Sequence, residues 1–176
     1  MTEILSSLSA FIAESSVREL VIYLLRNVPG FPPIIQTVHI LAIAAVMGSI
    51  VFINLRILGI AVPSQQLSEM IQRLLPWTWW ALLSLAISGL VFIIARPDKY
   101  FFNPVFGIKF ALLVPAVMCA WIIHRKNTLE LGYWDGSALR RGSARAIAAV
   151  SMILWLGVMM AGRWIAYYDY LFWPES

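Results

Sequence analysis

The 176-residue chain has one cysteine, two histidines and few charges of either sign. The lone Cys119 excludes an internal disulfide and any multi-cysteine metal site. Asp, Glu, Lys and Arg make up only 12% of the residues, against 61% hydrophobic. Soluble domains average about 45–50% apolar and about 25% charged, so a wholly aqueous protein is excluded. With a mean hydropathy of +0.81, part of the solvent must be lipid. The opening "MTEILSSLSAF" holds an acid and no basic run, so no cleavable signal is expected and the N-terminus is retained. The net charge of +4 forms no basic stripe on a polar face, which leaves membrane orientation rather than nucleic acid as its reading.

What the chain has in abundance is long apolar runs. A span needs about 20 mostly apolar residues, and four stretches qualify, near 33–56, 77–95, 104–124 and 146–168. Pro33, Pro76 and Pro104 fall near the starts of three of them, where proline suits a first helical turn. Every backbone amide in hydrocarbon must be satisfied internally. The expected fold is therefore all-α, an integral membrane four-helix bundle over residues 31–176.

Residues 1–30 differ. Leu5, Leu8, Phe11 and Ile12 share one helical face, and Val17, Leu20, Val21 and Leu24 share another. The stretch "SSVRE" offers Ser16 as N-cap and Glu19 as its capping-box partner. Two amphipathic helices broken near residues 14–16 are expected, lying at the membrane interface or against a partner subunit, before "NVPGFPP" turns the chain into the bilayer.

Basic residues set the expected orientation. Arg56, Arg73, Arg125, Lys126, Arg140, Arg141 and Arg145 lie on one side, in or beside the loops 57–76 and 125–145. Arg18, Arg26, Arg96 and Lys99 lie on the other. The positive-inside rule then places those two loops in the cytoplasm of a bacterial inner membrane, with both termini periplasmic. Aromatic clusters at 77–80, 100–102 and 164–173 fit interfacial belts. The loop "LELGYWDGSALRRGSAR" is expected to be a solvated face.

The polar residues within the spans carry the functional reading. His39 lies about six residues, or ~9 Å, into the first span. Lys109 lies near the start of the third span, Arg96 at the end of the second and Arg163 near the end of the fourth. Antiparallel neighbours bring these four to one level. No Asp or Glu lies in any expected span to neutralise them, and a buried charge without a partner is expensive. A ligand with carboxylates that also takes an imidazole satisfies both needs, and haem b is such a ligand. His39 is the candidate iron ligand, while Lys109, Arg96 and Arg163 are candidates to hold propionates. Ala42, Ala45 and Gly48 leave room beside His39, and a methionine among Met47, Met118, Met159 and Met160 is a possible sixth ligand.

Each residue also has a plainer reading. The histidine can hydrogen-bond a neighbouring helix, and the arginines and lysine can snorkel to headgroups. His124, before "RKN" at the opposite face, reads as interfacial and cannot share an iron with His39. Gly157 with Ala161, and Ser84 with Ser88, read as close helix contacts. Asn54 reads as an interhelical hydrogen bond.

The runs "VHILAIAAVMGSIVFINLRILG", "NPVFGIKFALLVPAV" and "SMILWLGVMMAGRWIAY" resemble an uncharacterised family of bacterial four-helix inner-membrane proteins, over residues 29–168. The position before the leucine–arginine pair, an acid in that pattern, is Asn54 here. That resemblance implies an architecture and no activity. A more distant similarity is to the haem-b membrane type of bacterial protoporphyrinogen oxidase, which implies haem ligation at His39 with Lys109 beside it; the rest of that motif is absent. Copper handling would want Met/His clusters that this chain lacks.

The function expected is a b-type haem protein for electron transfer, with quinone or an outward-side redox partner, and so a haem-dependent oxidoreductase. The alternatives are a non-catalytic accessory subunit of a larger membrane complex and a small transporter or channel. The absent membrane carboxylates weigh against transport. Partners expected are the lipid bilayer and either further copies of the chain or other membrane subunits.

Overall fold

The computed structural model describes residues 2–168. The order is α1 (Thr2–Ala13), α2 (Ser16–Asn27), α3 (Phe31–Leu58), α4 (Leu67–Ala95), α5 (Pro97–Phe101), α6 (Pro104–Leu129), a 3-10 turn (Tyr133–Asp135) and α7 (Ala138–Trp164), with no strand among the described residues. The aromatic stretch beyond residue 168 and the Leu5 side chain lie outside them.

Four helices, α3, α4, α6 and α7, are long and apolar enough to cross a bilayer. Two antiparallel hairpins, α3–α4 and α6–α7, join mainly through α3 against α7. That order puts α3 diagonally opposite α6. Buried residues recur on one stripe of α3, from Ala42 through Val46, Ile50, Ile53 and Ile57, and on α7 from Ala144 to Ala161. Between them sits a dry polar contact: Asn54 donates to Ser151 Oγ at 3.1 Å, both 1% exposed. This is the interhelical bond expected of Asn54. Gly157 provides the α6–α7 approach, since a Cβ there would meet Leu112 Cδ1 at 3.0 Å.

The burial pattern is unequal along the bundle. α6 buries Ala116, Ala120, Ile123 and Asn127 and nothing before them, and Ser88 is the last buried residue of α4. At the end that holds the α3–α4 loop, α4 and α6 touch through Asn127, which donates to the Ser68 carbonyl at 3.3 Å, and through Trp79 against His124. Toward the other end, where His39 lies, α4 has no fully buried residue after Ser88 and α6 none before Ala116.

Several boundaries differ from the expected ones. α4 begins at Leu67, ten residues before the expected 77, and runs through Pro76. Proline removes one helical hydrogen bond, but Leu67, Met70, Ile71 and Leu75 before it and Thr78 and Ala81 after it are buried, and that packing outweighs the missing bond. The basic loop is shorter than expected because α6 continues to Leu129 and α7 starts at Ala138. It is also not wholly solvated: Trp134 is 4% exposed and donates its indole N–H to the Ile123 carbonyl at 3.2 Å. At α2 the N-cap is Ser15, not Ser16; its hydroxyl accepts from the Arg18 amide at 3.3 Å. The break between α1 and α2 falls where expected.

The N-terminal helices dock at the His39 end. Val21 is buried where α2 meets α4. Ser9, 3% exposed, donates to Asp98 of α5, a short helix not expected from the sequence. Phe11, Val17 and Leu20 stay 57–75% exposed, which suits a face laid on lipid.

Candidate functional site

His39 projects from the third turn of α3 onto α4. Its Nδ1 lies 2.8 Å from Ser88 Oγ. The Ser88 hydroxyl donates in turn to the Ser84 carbonyl, at 2.6 Å. That hydroxyl has one proton, already committed, so the ring must donate from Nδ1. The tautomer is thereby set and Nε2 carries a lone pair. Phe92 stands edge-on to the ring, with centroids 5.6 Å apart, and the side-chain-free surface of Gly89 lets the imidazole lie on α4, 3.8 Å from where a Cβ would be. The ring is therefore held on two sides, and only Nε2 is left to act.

Lys109 comes from α6, diagonally across the bundle. Its amine rests on Gly162 of α7, 3.8 Å from the position a Cβ would take. It is partly buried and makes no hydrogen bond or ion pair among the described residues. It also lies within electrostatic range of His39. This end of the bundle thus presents one imidazole base and one cation that is unpaired among the described residues.

Arg96 and Arg163 reach the same end but stand on its rim. Arg163 is the penultimate residue of α7, because the helix ends at Trp164 rather than at 168. It is exposed, donates to the Tyr167 hydroxyl at 2.6 Å and lies 4.8 Å from that ring. Arg96 is the exposed link between α4 and α5. It lies beside Tyr100, whose phenol is pushed above its ordinary value by burial while the Arg96 charge opposes that rise. Of the four residues expected to converge, His39 on Gly89 and Lys109 on Gly162 lie within electrostatic range of each other, and the two arginines stand exposed at the edge. Of the small residues near His39, Ala42 is buried on the inner face, Ala45 is exposed on the outer one, and Gly48 faces open space. Met118, Met159 and Met160 are 44–57% exposed.

His124 lies at the far end with its ring edge toward Trp79, and its buried Nδ1 has no hydrogen-bond partner. No three His, Cys, Asp or Glu side chains among the described residues come together to hold a metal ion. Iron in a macrocycle, which brings its own four nitrogens, needs only one or two protein ligands, and His39 fits that requirement. A histidine that binds a metal donates its other ring N–H to a fixed acceptor, and Ser88 Oγ stands in that position against His39 Nδ1.

Ser88 is the residue that sequence reasoning undervalued, reading it as a packing position. Its level could have revealed it: seven residues before the end of α4, against His39 near the start of α3. Gly162 carried no signal in the sequence; its use depends on where Lys109 lies.

Fold and site together define a multi-pass α-helical membrane protein with a histidine–lysine pair inside one end of its bundle. Residues 18–168 match a family of unknown function, DUF6644, and the chain belongs to that family. The match reaches back into α2, beyond the resemblance at 29–168. No curated protein and no solved structure matches the chain.

Proposed function

We propose that this is a membrane-bound b-type haem protein that carries electrons, in which His39 Nε2 would bind the iron and Lys109 would pair with a haem carboxylate. The observation that carries the reading is the Ser84–Ser88–His39 relay, which leaves Nε2 as the one ring nitrogen with a lone pair, at the same end of the bundle as the Lys109 cation. When bound, the haem would supply one-electron redox chemistry. The chain's own part is to hold the imidazole and offer the ammonium group to an anion. The outer halves of α4 and α6, which bury no residue fully against each other, are where a flat ligand from the bilayer, or quinone as redox partner, would approach. The distant similarity to haem-b protoporphyrinogen oxidase, which also has a histidine and a lysine at these two places, supports the ligand role.

The orientation that accompanies this reading has both termini in the periplasm of a bacterial inner membrane, supported by the arginines at the opposite end. Purification with haem supplied during expression tests the proposal directly. A Soret band that disappears in His39→Ala supports it. A colourless protein, or a band of equal intensity in His39→Ala, overturns it.

A further inference from the structure

The other end of the bundle holds an unrelated cluster. Arg56 from the last turn of α3, and Arg141 and Arg145 from the first two turns of α7, line one small recess of about 90 Å³, together with Gly59, Trp134 and Asp135. The other arginines at this end are satisfied. Arg73 pairs with Glu69 at 2.7 Å, and Arg140 with Glu130 at 2.9 Å while stacking on Tyr133. Arg125 lies over the Trp121 ring, 5.5 Å from its centroid. Arg56, Arg141 and Arg145 have no carboxylate within 4 Å among the described residues, although Asp135 shares the recess.

Two details make this more than a basic surface. Arg56 spends its Nε on the Gln65 carbonyl, at 2.7 Å. That bond orients the guanidinium and leaves its Nη pair free as a fork, the geometry that grips a phosphate with two hydrogen bonds. Arg141 and Arg145 are one turn apart on the same helix, a like-charged pairing that repels unless an anion lies between them. Both groups point at one recess from separate helices, held at a fixed spacing by the buried Trp134 and Ala144 beside it.

We infer that this recess binds a phosphate group through Arg56, Arg141 and Arg145. Arg145 immediately precedes the apolar part of α7, so the headgroup phosphate of an acidic membrane lipid is within reach. Basic pockets between spans are a common form of such recognition. A soluble phosphate compound offers the same chemistry from the aqueous side.

The test uses the full chain in nanodiscs and in detergent. Thermal unfolding midpoints and lipid retained in native mass spectrometry are compared for phosphatidylglycerol, cardiolipin and phosphatidylcholine, and inorganic pyrophosphate is titrated in detergent. Selective stabilisation by the acidic lipids, lost in Arg141→Gln/Arg145→Gln but kept in Arg125→Gln, supports a lipid ligand. Stabilisation by pyrophosphate with no preference among lipids supports a soluble one. Affinity is expected to fall roughly tenfold for each arginine removed. If the double glutamine variant does not fold, Arg141→Lys/Arg145→Lys keeps the charge while removing the forks, and is expected to bind more weakly than the wild type. The inference is overturned if neither ligand stabilises the protein, if binding survives the pocket substitutions unchanged, or if Arg125→Gln weakens it equally.

Discussion

His39 Nδ1 lies 2.8 Å from Ser88 Oγ across the α3–α4 contact, and the Ser88 hydroxyl donates its own hydrogen bond to the Ser84 carbonyl at 2.6 Å, which leaves Nδ1 as the donor to Ser88. This two-bond relay decides which nitrogen of the ring is basic. Ser88→Ala removes the acceptor and leaves the Nδ1 proton without a partner. The bundle should lose about 1–2 kcal/mol, the range for a hydrogen bond broken on one side. If His39 ligates haem, the reduction midpoint should also shift in Ser88→Ala, because the ring loses the partner that sets its basicity. Thermal unfolding and a redox titration read the two effects separately.

Lys109 should behave in the opposite sense. Its ammonium group sits in a membrane span with no carboxylate beside it among the described residues. Lys109→Met keeps the length and removes the charge, so the ligand-free protein should become more stable. The gain should fall below the roughly 2.5–3.5 kcal/mol that a cation costs at mid-membrane, since Lys109 lies near a helix end. Haem content should fall in the same variant. Unfolding midpoints and pigment yield, measured on one preparation, check both directions.

Asn54 and Ser151 form the buried polar contact at the α3–α7 seam. Truncating either to Ala should destabilise the bundle, and truncating both should cost less than the two changes added. A coupling energy of about 0.6–1.7 kcal/mol is expected, as for hydrogen bonds inside membrane proteins. A double-mutant cycle of unfolding free energies in detergent measures it.

Gly157 sets the spacing of α6 against α7. A Cβ there meets the end of the Leu112 side chain at 3.0 Å. Leu112 can rotate away from one methyl group, so Gly157→Ala should change little. Gly157→Val adds two more carbons at the seam and should destabilise by roughly 1–3 kcal/mol, the usual range for overpacking. Because Lys109 leans on Gly162 of the same seam, Gly157→Val should lower haem content as well.

The sequence by itself determined the solvent and the number of spans. Four apolar runs with few charges can hide from water only in a bilayer, and backbone amides in hydrocarbon admit helices there. It also placed His39 and Lys109 at one level, because helix rise is constant and neighbouring spans alternate in direction. Helix ends were less legible: α4 runs through Pro76 because packing on α3 outweighs one lost hydrogen bond, and propensity alone cannot weigh the two. Only the tertiary structure decided which cations meet the histidine. Rotation about each helix axis turns Lys109 inward onto Gly162 and Arg163 outward onto Tyr167, and that rotation is fixed by contacts between helices rather than by any residue's own preference. The arginine recess is legible only in three dimensions for the same reason: Arg56 lies far from Arg141 and Arg145 along the chain, and folding alone brings their free guanidinium groups to one place.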